Sequence, residues 1–294
     1  DLPHTHLTYG GPHLGIFPKE TLGIPFVDSV IVGDVEIPFL RLCNLVANGE
    51  TDDKFPGLHL KKHGLREGPD TYYIQKELDD LPIPDRTFLP IKLYGSVLGK
   101  NSYNTTMITS RGCPYKCTFC KLNFQKTLCQ SAERVVEEFK KISELGIREV
   151  EIYDDTFTWS KERLKDICRG LIDADLPVQW AVRDRVSSAD SELYELMYRA
   201  GCRRIHLGIE SGVQHVLDRM RKQIKVEQAQ KAVKLAKNAG LTVLTYFMFG
   251  NLDETLEDMH KTIDFAMELD ADYATFSVTI PYAGTEMYEE ALST

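Results

Sequence analysis

Thr105-Thr-Met-Ile-Thr-Ser-Arg-Gly-Cys-Pro-Tyr-Lys-Cys-Thr-Phe-Cys120 carries two signals in one stretch. Its first part, 105–109, is rich in β-branched residues and is expected to be a strand. Its second part places Cys113, Cys117 and Cys120 on one tight loop, with Gly112 and Pro114 stiffening the bend. A strand that ends in a metal-type cysteine loop puts chemistry at its C-terminal end.

Downstream the pattern becomes regular. Strands are expected over 148–153, 178–182, 203–208, 241–249 and 273–279. Helices are expected over 132–145, 160–173, 191–199, 213–220, 226–238 and 256–269, with Ser131 and Ser160 as N-caps and Gly146 and Gly201 as stops. Strands alternating with helices of this length imply parallel pairing and right-handed crossovers. The sheet is then either open and doubly wound or an incomplete barrel. In both, ligands meet the C-terminal strand ends. Those ends carry the cysteine loop, Asp154-Asp155, Arg183 and Arg185, Glu210-Ser211, Gly250, and Pro281-Tyr282.

Upstream, Leu81-Pro-Ile-Pro-Asp85 is an extended connector that cannot be helical, and the domain boundary is placed there. Residues 51–100 are read as a small hairpin, 55–60 with 71–74, followed by this proline-rich linker. Residues 1–50 show a strand over 27–32, a helix from Pro38 and a turn at Gly10-Gly-Pro12. About 50 residues are too few for a doubly wound domain, so this segment is expected to be a remnant. Asp1 is not an initiator Met, and the core domain over 101–294 is likewise expected to be truncated at its C-terminal side.

Composition narrows the function classes. The chain has 294 residues, 43% apolar and 27% charged, which excludes a disordered or fibrous polymer. Its net charge of −9 argues against nonspecific DNA binding. No apolar run is long enough to span a membrane and no secretory signal opens the chain, so cytoplasm is the expected location. An odd count of seven cysteines in a chain this long does not read as a disulfide framework, and the four dispersed ones, Cys43, Cys129, Cys168 and Cys202, are read as ordinary thiols.

The spacing Cys-x3-Cys-x2-Cys can hold three corners of a cubic iron–sulfur cluster. One iron is left open to chelate a substrate, as a catalytic zinc keeps one free position. Phe119 can exclude water from such a cluster. The alternatives are a zinc site completed by a distant ligand, or unrelated thiols. Zinc motifs usually show paired Cys-x2-Cys units, and no second pair is present.

Over roughly residues 101–294 the chain resembles the radical S-adenosylmethionine (SAM) superfamily, in its cobalamin-associated branch. The resemblance rests on Arg111-Gly-Cys-Pro-Tyr-x-Cys-x-Phe-Cys120, Tyr153-Asp-Asp-Thr-Phe157, His206-Leu-Gly-Ile-Glu-Ser-Gly212 and Pro281-Tyr-Ala-Gly-Thr285. Upstream, Gly10-Gly-Pro-His13 and Val30-Ile-Val-Gly-Asp-Val-Glu36 resemble the closing segments of a cobalamin-binding Rossmann-like domain. The resemblance implies a partial (β/α)6 barrel preceded by the C-terminal remnant of that domain. It implies a 4Fe–4S cluster on Cys113, Cys117 and Cys120 whose open iron binds SAM, cleaved by one electron to a 5′-deoxyadenosyl radical. It further implies that Asp154 or Asp155 meets the methionine amino group and that Arg185 lies near the carboxylate. Glu210 would bind the ribose with help from Ser211, Gly250 would lie near the adenine, and Gly10 and Gly11 would border the nucleotide tail of cobalamin. His206 is read as a supporting histidine, and Glu254 as a cap for the following helix. Asn251-Leu-Asp-Glu-Thr255 lacks the Pro-Gly turn common in the family.

The expected activity is a cobalamin-dependent methyltransferase. An anaerobic oxidative cyclase of tetrapyrrole type is the main alternative. A methylthiotransferase would need an auxiliary cluster, yet residues 1–100 contain only Cys43. A non-catalytic iron–sulfur protein would have no use for the strand-end residues. Expected partners are a low-potential electron donor such as flavodoxin or ferredoxin and a small-molecule or peptide substrate; Arg111, Lys116, Lys121 and Lys126 either receive an acidic electron carrier or offset the charge of the thiolates and cluster.

Overall fold

Alternation of apolar and polar residues along each strand decides which side meets helices, and the computed structural model follows that rule. It describes residues 5–50, 54–99, 103–121 and 126–293. The chain divides into two units, Asp1–Glu77 and Leu78–Thr294. The connector at 81–85 therefore belongs to the second unit, and residues 51–100 are shared between the two.

The first unit contains β1 (Thr8–Tyr9), α1 (Pro18–Gly23), β2 (Ser29–Ile31), α2 (Glu36–Asn48) and β3 (Leu58–Leu60). Strand β2 is central, parallel to β1 and antiparallel to β3. Successive side chains on β2 face opposite ways. Val30 joins Leu14, Leu22, Val27 and Val32, whereas Ile31 joins Leu42, Leu45, Leu58 and Leu60 on the other side. The expected hairpin of 55–60 with 71–74 is not formed. Leu58 and Leu60 are drawn to Ile31 instead, while Tyr72 and Ile74 stay exposed. Tyr73 makes a parallel bridge to Gly33, where a Cβ would lie 2.1 Å from the Tyr73 carbonyl oxygen.

The second unit carries β4 (Asn104–Met107), β5 (Ser110–Arg111), β6 (Leu128–Cys129), α3 (Ala132–Glu144), β7 (Glu149–Ile152), α4 (Lys161–Ala174), β8 (Gln179–Arg185), α5 (Ser191–Arg199) and β9 (Cys202–Glu210). It continues with α6 (Gln214–Arg219), α7 (Val226–Asn238), β10 (Thr242–Phe249), α8 (Leu256–Glu268), β11 (Tyr273–Val278) and α9 (Glu286–Ser293). Six strands form one parallel sheet in the order β11-β10-β9-β8-β7-β4. Spatial order follows chain order without reversal. A doubly wound sheet reverses at a switch point, so this sheet is singly wound, as in a barrel.

Capping follows local chemistry. Ser131 accepts from the Arg134 amide and Ser160 from the Arg163 amide, as expected. Thr255 and Asp258 form a capping box on α8. Glu254 is therefore not the cap; it accepts from the Gly250 and Asn251 amides instead.

The outward face of the sheet is apolar. Val150, Trp180, Val182, Ile205, Leu207 and Val243 pack under the helices. Trp180 packs edge-on against Phe139 and Phe157, and its Nε1 donates to the Ala200 carbonyl at 2.9 Å. The opposite face is polar, bearing Glu149, Glu151, Arg183, Arg204, His206 and Tyr246. Among the described residues, no helix is long and apolar enough to cross a membrane.

Candidate functional site

The antiparallel pair β5–β6 forms the stem of the cysteine loop. The loop is fastened at both sides. The Thr118 amide donates to the Met220 carbonyl at 3.0 Å, and the Met287 amide donates to the Thr118 carbonyl at 3.1 Å. The Cys120 amide donates to the Cys117 carbonyl at 3.1 Å, closing the last turn. Gly112 has φ +90, a left-handed conformation that suits glycine, and its amide donates to Asp155 Oδ2 at 2.8 Å.

Cys113 is buried, Cys117 half-buried and Cys120 exposed. Although the Cys120 residue is exposed overall, partial burial of its thiol, then the nearby Cys117 and Cys113, push that thiol up to about 11. A thiol held up in this way ionises readily only when a cation joins it, so Cys120 fits a metal-bound role. Among the described residues, no three His, Cys, Asp or Glu side chains close tightly around one ion. The thiolates of a cubic cluster stand at separate corners and need no such closeness.

These sulfurs open into a cavity of about 210 Å³ at the C-terminal strand ends. Phe119, Asp155, Arg185 and Glu210, four of the residues singled out in the sequence, line it. Arg185 is buried, and its guanidinium lies 3.7 Å from the Tyr115 ring centroid. It donates to Cys117 Sγ at 3.6 Å and to the Lys222 carbonyl, yet its Nε has no partner. An orphaned buried N–H is costly unless a ligand accepts from it. The donor set therefore fits an anionic ligand group beside the sulfurs.

Glu210 ends β9 with φ +77, unusual for a side chain of its size. Its Oε1 accepts from Lys222 Nζ at 2.6 Å, with both side chains under one-tenth exposed. Gly208 makes room for this pair, since a Cβ there would lie 2.8 Å from Glu210 Oε1. Lys222 also stands 5.8 Å from the Phe119 ring centroid. The sequence reading missed Lys222. A buried glutamate at a strand end calls for a cation, but strand and helix periodicity do not select among Arg219, Arg221, Lys222 and Lys225.

Three expected cofactor contacts lie off the cavity lining. Asp154 is buried and accepts from the Thr109 amide, the Thr109 hydroxyl and the Ser110 hydroxyl at 2.6, 2.6 and 2.7 Å. Burial raises its pKa despite these bonds. It clamps the end of β7 to the root of the cysteine loop, while Asp155 takes the cavity side. Ser211 faces Thr262, Oγ to Oγ1 at 3.1 Å, and accepts from the Val213 amide. Gly250 has φ +80, which accounts for glycine by conformation. In the first unit, Gly11 has φ +104, and a Cβ on Gly10 would lie 3.0 Å from Val35 Cγ1. A turn and a close approach thus explain both glycines.

Beneath the strand ends the cavity floor holds Arg183, His206 and Tyr246. His206 is buried, and burial, Arg183 and Arg204 depress its pKa to about 3. Its ring is neutral at pH 7.

Comparison with known proteins places these features in a family. The radical SAM superfamily model matches residues 107–266. An uncharacterized methyltransferase of Pyrococcus horikoshii is 36% identical over 97% of this chain and 62% of its own length. The cytidylyl-2-hydroxyethylphosphonate methyltransferase of Streptomyces wedmorensis is 29% identical over 99% of this chain and 61% of its own. The chain thus spans about three-fifths of these relatives. The radical SAM methyltransferase TsrM of Kitasatospora setae, solved with cobalamin and a 4Fe–4S cluster, superposes with a TM-score of 0.80. It is 20% identical, over 96% of this chain and 57% of that one, a likeness of fold.

Proposed function

The chain belongs to the radical SAM superfamily, and on that premise we propose that it is part of a cobalamin-dependent methyltransferase. Cys113, Cys117 and Cys120 would hold a 4Fe–4S cluster in this reading, and SAM would bind in the cavity beside them. The six-stranded sheet is the partial barrel, and the first unit belongs to a Rossmann-like cobalamin domain.

When bound and reduced, the cluster supplies the electron that cleaves the SAM sulfonium. The protein's own residues orient and insulate. Arg185 Nε donates to the SAM carboxylate, which satisfies its orphaned N–H. Asp155 accepts from the methionine amino group, and Glu210, steadied by Lys222, offers Oε2 to a ribose hydroxyl. Phe119 shields the cluster from water. Lys116 and Lys121 are exposed on the cysteine loop and suit an acidic, low-potential electron donor. A cytoplasmic location accords with that supply of electrons.

The observation that carries this reading is the unpartnered Arg185 Nε, buried beside Cys117. The test is anaerobic reconstitution followed by electron paramagnetic resonance of the reduced cluster. SAM is expected to shift the signal in wild type and to bind much more weakly to Arg185→Met. A reconstituted chain that holds no cluster, or a signal unmoved by saturating SAM, overturns the proposal.

A further inference from the structure

The cavity floor contains a hydrogen-bond chain whose direction can be derived. Arg204 Nε stands 2.9 Å from His206 Nε2. A guanidinium can only donate, so His206 Nε2 accepts. The imidazole is neutral, hence its single proton lies on Nδ1. That nitrogen is 2.7 Å from the Tyr246 hydroxyl oxygen. Nδ1–H therefore donates to Tyr246, and the phenol cannot donate back. Arg204 is itself fixed by Glu151 and by the Leu98 carbonyl, the latter at 2.7 Å. The orientation is thus imposed from the barrel wall.

Tyr246 is left with one O–H to place, and its ring lines the cavity. Arg183 also donates a hydrogen bond to the same oxygen, and it donates to the Ile152 carbonyl at 3.5 Å. Its guanidinium lies 3.6 Å from the Tyr153 ring centroid and only 3.9 Å from Glu151 Oε2, a loose pairing, since Glu151 is engaged by Arg204. A phenol whose oxygen accepts from His206 and Arg183, and is therefore left to donate, thus lines one space with a guanidinium that has no close carboxylate of its own.

We propose that Tyr246 and Arg183 form a substrate subsite for an anionic oxygen group, a carboxylate or a phospho group, with His206 as the positioning residue that fixes the phenol as a donor. This rests on the cavity being the SAM and substrate site. It goes further by assigning the chemical class of the substrate's anchoring group.

The test uses this chain, reconstituted anaerobically and saturated with SAM, with methylphosphonate as the probe. Phosphorus NMR line width reports probe binding, and equilibrium dialysis reports SAM binding. Wild type is expected to broaden the probe signal. Tyr246→Phe and Arg183→Met are each expected to weaken the probe by about tenfold, the loss of one charge-assisted hydrogen bond, with SAM affinity unchanged. A probe that ignores wild type, or binds Tyr246→Phe equally well, overturns the subsite. Loss of SAM affinity in either variant also overturns it, by assigning the pair to the cofactor. Independently, nitrogen NMR of labelled histidine is expected to show His206 protonated on Nδ1, and an Nε2–H tautomer overturns the donor assignment. Should wild type bind no SAM, the proposed function falls, and the subsite is decided by the tautomer and by probe binding to the cofactor-free chain.

Discussion

Lys222→Met breaks the Lys222–Glu210 pair and leaves a carboxylate stranded in a site under one-tenth exposed. Removing one partner of a buried ion pair costs about 3–5 kcal/mol, because the survivor keeps its desolvation cost without its attraction. Replacing both partners by neutral groups of similar size is far milder. The double variant Lys222→Met/Glu210→Gln is therefore expected to recover most of the loss. Urea unfolding, followed by the fluorescence of core residue Trp180, measures both. With a slope of about 3 kcal/mol/M, the single variant moves the midpoint down by about 1–1.7 M. A shift under about 0.3 M, or a double variant no better than the single, would refute the claim that this pair is dry and mutually dependent.

Replacing Cys113, Cys117 or Cys120 with Ala should leave the reconstituted chain without stable cluster iron, which iron and sulfide assays check. Trp180→Ala should destabilise the second unit by about 3–5 kcal/mol in urea unfolding followed by far-ultraviolet circular dichroism, since Trp180 is only 1% exposed and packs between Phe139 and Phe157. Asp184 is buried among Thr158 and Ser188 hydroxyls, and burial raises its pKa to about 6. The folded state then binds the proton more tightly than the unfolded state, so this group's contribution falls as pH rises from about 4 to 6, by about 3 kcal/mol. Asp184→Asn should remove that slope, as unfolding measured across this pH range will show.

Much of the fold was legible because period and punctuation agreed. The helix expected over 226–238 is found at those bounds, and the serine caps at 131 and 160 hold by the expected bonds. Strand ends were less legible. Strand β8 runs to Arg185 and β9 to Glu210, past where apolar alternation stops, because their inward faces are polar. That same polarity made the site partly readable, with Phe119, Asp155, Arg185 and Glu210 falling on one cavity. Adjacent residues were harder to separate. Asp154 and Asp155 differ only by which side each takes after β7, and only contacts with Thr109, Ser110 and Gly112 decide between them. The 55–60 with 71–74 hairpin failed for a tertiary reason, since Leu58–Leu60 pairs with Ser29–Ile31 of β2, while Tyr73 bridges to Gly33 beyond the end of that strand.

Because helices hold the sheet from outside, its charged lining has to be balanced only within itself, partner against partner. Exchanging a matched set of polar groups within that hollow, rather than one member alone, leaves the shell around it intact. A lineage built on this frame can thus change its guests while leaving its architecture alone.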